Sequence, residues 1–285
     1  MTSAPAPVLA WLAKHLSPDT RMRSLHGGES PWWVDATTSF GPLSAVLRCP
    51  SSRISGEQIV TNVAALAVAE KHGLPAPRLL AADVDGREAG VPASLETVAG
   101  GTSAWPARPS AMFLRTAGAA IARVHTVRLD PQPRLPLRRR PIAVDDFAGD
   151  RRAGRMPTTD LLRRADERVQ AITPPTGPTV LVHGDVWPGN AMADGHRVGA
   201  LIDWKTAGTG HPGVDLGELR KQTAIIYGDD AAAHILLGWE QASGTRAGDV
   251  AYWDAVAALN TPTDSYSAEA ARRRDDFLRA ALARL

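Results

Sequence analysis

One stretch, Thr179 to Trp204, constrains this chain more than any other: TVLVHGDVWPGNAMADGHRVGALIDW. Val180-Leu181-Val182 is a short apolar run that delivers His183-Gly184-Asp185 at its end. Ala191 to Ala193, the turn Asp194-Gly195 and Val198 to Ile202 have the pattern of a hairpin, and that hairpin delivers Asp203. Asp185, Asn190 and Asp203 therefore leave strand ends within 19 residues and can converge on one point. Hard oxygen groups of this kind suit Mg²⁺, which takes one or two carboxylates and completes its shell with water and phosphate oxygens. A further carboxylate that does not ligate can accept a proton from a substrate hydroxyl.

The flanks of this stretch differ from each other. Before it, residues 1 to 98 read as about five short strands around one helix. Met22 to Leu25, Trp32 to Val34, Ala45 to Leu47, Leu79 to Ala82 and Ala93 to Val98 are the strands, with Gly and Pro between them. Ser55 is a good N-cap for an alanine-rich helix that stops at Gly73, with Pro75 and Pro77 beyond. Gly100-Gly101 is the expected break. From residue 99 to 285 the pattern is mostly helical, with apolar residues at helical spacing over Ala111 to Val127 and a second helix over Asp160 to Ala171. Residues 130 to 157, rich in Pro and Arg, read as a solvated connection.

Composition narrows the function classes. The 285 residues include 44% hydrophobic and 22% charged, an ordinary globular mixture. Net charge is +2, so no global pull towards nucleic acid or a membrane surface is expected. No 18-residue stretch is free of charge, no basic region precedes the first apolar residues, and a single cysteine, Cys49, excludes an internal disulfide. A cytoplasmic protein, monomeric or homodimeric, is expected. An iron-binding triad built on His183, Asp185 and His234 is disfavoured, because His234 lies in a helical pattern rather than among alternating strands.

The segment His183-Gly184-Asp185, then Asn190, then Leu201-Ile202-Asp203-Trp204, resembles the catalytic segment of the aminoglycoside phosphotransferase and choline kinase-like family. Gly210-His211-Pro212-Gly213-Val214-Asp215-Leu216-Gly217 is similar to the segment that follows it there, and His72 to Pro77 to the end of that family's small-lobe helix. The resemblance implies an α+β, bilobal, protein-kinase-like fold: a small β-rich N-terminal lobe that binds nucleotide, and a larger, mostly helical C-terminal lobe for catalysis and acceptor. It implies transfer of the γ-phosphoryl of ATP (GTP not excluded), with Mg²⁺, to a hydroxyl of a small, amine-bearing acceptor such as an aminoglycoside-like antibiotic, an amino sugar or an amino alcohol. Asp185 and His183 would form the catalytic set, with His183 read mainly as holding the loop by hydrogen bonds, and Asn190 and Asp203 would be the metal ligands. Arg48, at the end of the third strand, would contact phosphates. Gly27, Gly28 and Ser30 would lie in the phosphate-covering hairpin, and Glu96, Thr97 and Val98 would offer backbone groups to the nucleobase. His125 and Asp215 read as structural.

Two departures from the family pattern carry expectations. Arginine replaces the usual lysine at position 48, and Asn62 falls where the small-lobe helix usually carries the glutamate that pairs with it. Arg48 is therefore expected to be positioned mainly by nucleotide phosphates. These departures leave a catalytically impaired, kinase-fold binding protein as the alternative. A cationic acceptor would be met by Glu218, Asp254 and Asp264.

Overall fold

The computed structural model describes residues 4–17, 19–264 and 267–285. The chain divides into two compact units, residues 1–99 and 100–285.

The N-terminal unit begins with helix α1 (Ala6–His15), followed by strands β1 (Arg21–His26), β2 (Glu29–Thr38) and β3 (Gly41–Arg48), helix α2 (Gly56–Lys71), and strands β4 (Leu79–Asp83) and β5 (Ala93–Thr97). The strands form one antiparallel sheet in the order β1-β2-β3-β5-β4. Strand periodicity assigns its faces. Ala45 and Leu47 of β3 and Ala93 and Leu95 of β5 pack with Val8, Trp11 and Leu12 of α1 in one apolar core. The alternate residues, Arg48, Ser94 and Glu96, lie on the opposite face, where α2 packs on β4 and β5. The start of α2 is fixed by a capping box: Ser55 accepts from the Gln58 N–H, and the Gln58 side chain accepts from the Ser55 N–H.

The C-terminal unit contains helix α3 (Ala111–Val124), strand β6 (Leu137–Arg138), helices α4 (Phe147–Arg152) and α5 (Asp160–Gln170), strands β7 (Val180–Val182), β8 (Ala191–Ala193), β9 (Val198–Leu201) and β10 (Gly208–Gly210), and helices α6 (Gly213–Tyr227), α7 (Asp229–Ser243), α8 (Val250–Leu259) and α9 (Ala268–Leu282). Strands β6-β10-β7 form a small sheet, and β8 and β9 form the expected hairpin. The region read as a plain connection, 130–157, holds β6 and α4; the Asp146 side chain caps α4 by accepting from the Gly149 N–H at 3.0 Å. Helices α3 and α7 pack closely because each places a glycine at the contact. A Cβ on Gly118 would fall 2.1 Å from the Ile235 carbonyl oxygen, and one on Gly238 would fall 2.1 Å from that of Arg115.

Candidate active site

In the C-terminal unit, β7 ends at Val182 and the chain turns through His183 and Gly184 to Asp185. Gly184 has φ +82°, and a Cβ there would lie 2.4 Å from the Thr206 carbonyl oxygen, so the turn accepts only glycine. The turn is held from below by Asp215 at the start of α6. Its carboxylate accepts the backbone N–H of His183 and of Gly184, each at 2.8 Å. The His125 Nε2–H donates to the same carboxylate at 3.1 Å; this tautomer follows because His125 Nδ1 accepts from Trp239 Nε1 at 2.9 Å. Burial alone would raise the Asp215 pKa, but the His125 hydrogen bond, the neighbouring histidines and the Gly184 N–H bring it below the ordinary carboxylate value. The structural reading of His125 and Asp215 thus has a geometry: a chain from Trp239 to the catalytic turn.

Both ring nitrogens of His183 are engaged within the turn, the geometry its loop-holding reading expects. Its ring is fully buried against Trp204, with centroids 4.6 Å apart. Its Nδ1 accepts the Asp185 N–H at 3.3 Å, so the Nε2–H donates to the Ile202 carbonyl at 2.9 Å. Desolvation holds its pKa below the ordinary value, and both nitrogens are spent on shaping the turn. His234 is half-buried on α7, and among the described residues no three His, Cys, Asp or Glu side chains come together to hold a metal, so the iron triad does not form.

Asn190 closes the other side of the turn. Its Nδ2 donates to the Asp185 carbonyl at 2.9 Å and to Asp185 Oδ2 at 3.1 Å. The backbone carbonyl can only accept, so the amide nitrogen must face it, and Oδ1 is the end left for a cation. The pairing of Ala191 with Leu201, and the Ile202 N–H donated to the Asn190 carbonyl at 2.9 Å, set Asn190 opposite the end of β9, one residue before Asp203. Asp203 adopts a left-handed backbone, φ +66°, and accepts from Lys205 Nζ. Among the described residues no group of three or more His, Cys, Asp and Glu side chains is arranged to hold a metal. The donors present are one carboxylate and one amide oxygen, a set that fits Mg²⁺ with phosphate oxygens and water and does not suit a metal requiring nitrogen or sulfur.

Asp185 is strongly shifted by its surroundings. Burial raises its pKa from 3.8 to about 7; Lys205 and Lys221 oppose the shift, while Glu218 and Asp203 add to it. A carboxylate near neutrality is matched to taking a proton from a hydroxyl at physiological pH.

Two of the expected acceptor carboxylates are already neutralised. Glu218 is fully buried and accepts from Lys221 Nζ through both oxygens at 2.8 Å and from Gln222 at 2.8 Å. Asp254 is also fully buried, with Arg220 bidentate at 2.9 Å and Arg284 at 3.0 Å. Both residues hold the helical core; neither is available to an acceptor. Asp264 is exposed on the segment before α9. A cavity of about 220 Å³ is lined by His211, Trp239, Trp253 and the Gly213, Leu216 and Gly217 side of α6, and does not include Asp185, Asn190 or Asp203.

The N-terminal candidates also sort clearly. Gly27 and Gly28, with φ +59° and +93°, make the tight β1–β2 turn, and Ser24 Oγ accepts the Gly28 N–H at 2.9 Å. Ser30 is buried and its hydroxyl accepts the Cys49 N–H at 3.0 Å, so it ties β2 to the end of β3 rather than facing a phosphate. Thr97 donates its N–H to the Arg78 carbonyl at 2.9 Å and accepts the Arg78 N–H on its hydroxyl at 2.9 Å, so its N–H is not available to a nucleobase. Val98 follows β5. Glu96 differs most from expectation: its side chain is buried, and its Oε1 accepts from Arg48 Nε at 2.7 Å while its Oε2 accepts from Asn62 Nδ2 at 3.1 Å. Arg48 therefore has a fixed protein partner and does not wait for phosphate to be positioned.

The family model described as "Phosphotransferase enzyme family" matches residues 21–259. The chain belongs to that family. It is a phosphotransferase with an α+β, protein-kinase-like fold. Among solved structures, a macrolide 2'-phosphotransferase from Brachybacterium faecium is 21% identical, with 96% of this chain and 97% of that chain covered and a TM-score of 0.61. An amicoumacin kinase, solved with AMP-PNP, Ca²⁺ and amicoumacin, is 15% identical over 97% and 92% of the two chains, with a TM-score of 0.62. An aminoglycoside-3'-phosphotransferase of type VIII is 18% identical over 87% and 96%, with a TM-score of 0.59. No curated protein matches. Among the described residues, no helix is long and apolar enough to cross a membrane.

Proposed function

We propose that this cytoplasmic phosphotransferase acts on a hydroxyl of a small, amine-bearing molecule, with Asp185 as the base. The supporting observation is the Asp185 carboxyl, raised to about 7 by burial and fixed at a strand end by Asn190. In the N-terminal unit, Arg48 contributes a guanidinium for phosphate oxygens. Asp203 and the Asn190 Oδ1 would hold Mg²⁺, which when bound neutralises charge on the phosphates. Asp185 orients the acceptor hydroxyl and takes its proton as the oxygen bonds to the γ-phosphorus of ATP and the bond to the β,γ-bridging oxygen breaks, releasing ADP. Positioning and charge neutralisation supply most of the rate, so little covalent work falls to the protein.

Two observations support the amine-bearing class. Relatives of this fold act on aminoglycosides and on macrolides. In this chain Trp187, two residues after Asp185, is 40% exposed, and its ring packs over Gly189, where a Cβ would lie 2.3 Å away. An exposed indole face suits a sugar ring or a cationic amine. With Glu218 and Asp254 spent internally, Trp187 and the exposed Asp264 are the candidates for acceptor recognition.

The deciding experiment measures ATP consumption by the purified chain against panels of aminoglycosides, macrolides, amino alcohols and neutral sugars. Mg²⁺-dependent turnover with an amine-bearing compound is expected, with Trp187→Ala raising the acceptor KM and leaving AMP-PNP binding unchanged. Turnover confined to neutral sugars would overturn the amine reading.

A further inference from the structure

On the sheet face covered by α2, β3 and β5 pair antiparallel with Val46 opposite Glu96 and Arg48 opposite Ser94. Arg48 and Glu96 are therefore diagonal neighbours on one face, within reach of long side chains. Their side chains are 7% and 3% exposed, and Asn62, on the covering helix, is fully buried. A guanidinium this far from water requires a counter-charge, and charge-assisted bonds in such a setting fix geometry strongly. Glu96 is that counter-charge, with one oxygen on the Arg48 Nε and the other on the Asn62 amide. The face stays polar beyond the pair: the Ser94 hydroxyl, opposite Arg48, is fully buried and has no hydrogen-bond partner among the described residues.

The consequence concerns where the negative charge is stored. A carboxylate on α2 would move whenever the helix moved. Glu96 instead sits on a strand hydrogen-bonded to β3, in the same rigid sheet as Arg48. Asn62 then couples the helix to the pair through a neutral donor to Glu96.

We propose that Glu96 is a positioning residue for nucleotide binding: from β5 it fixes the Arg48 guanidinium, and Asn62 of α2 orients the Glu96 carboxylate. This inference rests on the reading of Arg48 as a phosphate contact. It gives the Glu96 side chain a role towards the phosphates, separate from the backbone role expected of residues 96–98 towards the nucleobase.

The test is calorimetric titration of Mg·AMP-PNP, without acceptor, into four forms of the full chain: wild type, Glu96→Asp, Glu96→Gln, and the double variant Asn62→Glu/Glu96→Gln. Thermal melts of each accompany it. Glu96→Gln should weaken AMP-PNP binding about tenfold or more. The double variant, which moves the carboxylate from strand to helix, should recover affinity to within about threefold of wild type. A stability role alone would not be repaired in binding by relocating the charge. If Glu96→Gln does not fold, Glu96→Asp keeps the charge, draws it back by one methylene, and should still weaken binding at least about threefold. Wild-type affinity in folded Glu96→Gln or Glu96→Asp, or a folded double variant as weak as the single one, would overturn the proposal. Absence of AMP-PNP binding by the wild type would instead overturn the phosphate reading of Arg48 beneath it.

Discussion

In the N-terminal unit a buried cation, Arg48, is matched by a carboxylate 2.7 Å away, whereas in the C-terminal unit burial leaves the carboxylate Asp185 raised to about 7. The first arrangement is electrically satisfied and built for rigidity. The second is under-compensated, which favours a group that must take up a proton and release it. The same physics, removal of charge from water, produces a fixed fork in one region and a reactive carboxyl in the other. The difference lies in whether a full counter-charge sits within hydrogen-bond distance.

The largest effect should come from removing the under-compensated group. Asp185→Asn keeps the side-chain volume and should lower turnover by about 10³-fold or more, since a positioned base contributes roughly 10²–10⁴-fold. Steady-state ATP consumption with the acceptor found in the panel screen measures it. Wild-type turnover would remove Asp185 from the mechanism and with it the contrast between the two regions.

The next effect concerns a satisfied carboxylate in the C-terminal unit itself. Asp254 is buried with Arg220 and Arg284, so Asp254→Asn leaves Arg220 in the core with its counter-charge gone. Breaking one side of such a pair costs about 3–5 kcal/mol, visible in denaturant unfolding, with the acceptor KM unchanged. A raised acceptor KM with unchanged stability would return Asp254 to the acceptor site.

A pH effect separates the two kinds of carboxylate further. Burial raises Asp185 from 3.8 to about 7, so the folded chain keeps a proton there that the unfolded chain releases. Its contribution to stability is present below the unfolded value and is lost as pH rises through the folded one. In ligand-free, metal-free protein, Asp185→Asn should therefore gain melting temperature over wild type by on the order of 10 °C more at pH ~8.5 than at pH ~4. An equal difference at both pH values would show that Asp185 is not held protonated by its surroundings.

How much of this was legible in the sequence follows from where each contact originates. Asp185, Asn190 and Asp203 belong to one local strand-turn-hairpin segment, so their convergence was readable from spacing alone. The Ser55 cap of α2, the stop at Gly73 and the strands of the first unit were equally local. Glu96 as the partner of Arg48 was not readable, because it depends on the β3–β5 register, set between strands 48 residues apart in sequence at this pair. Strand alternation did contain a signal: Glu96 is the one charged residue in a buried strand, Ala-Ser-Leu-Glu-Thr, where an unpaired charge would be costly. The same limit applies to Glu218 and Asp254. Their charge suggested an acceptor, and only the packing of α6, α8 and α9 revealed internal cations already bound to them.

A smaller expected effect checks the neutral member of the N-terminal cluster. Asn62→Ala removes one donor from Glu96 and leaves the ion pair, so nucleotide KM should rise about threefold, equal to ~0.7 kcal/mol. A hundredfold loss would make the amide, and not the Glu96 carboxylate, the main support of Arg48.

The central claim is that holding nucleotide and moving the acceptor proton fall to different side chains, and Mg·AMP-PNP titration into Asp185→Asn and Asp203→Ala tests it most directly. Asp185→Asn should bind within about twofold of wild type, while Asp203→Ala, having lost the carboxylate proposed for the metal, should bind about tenfold or more weakly. Equal weakening in both variants, or wild-type binding by Asp203→Ala, would contradict that assignment.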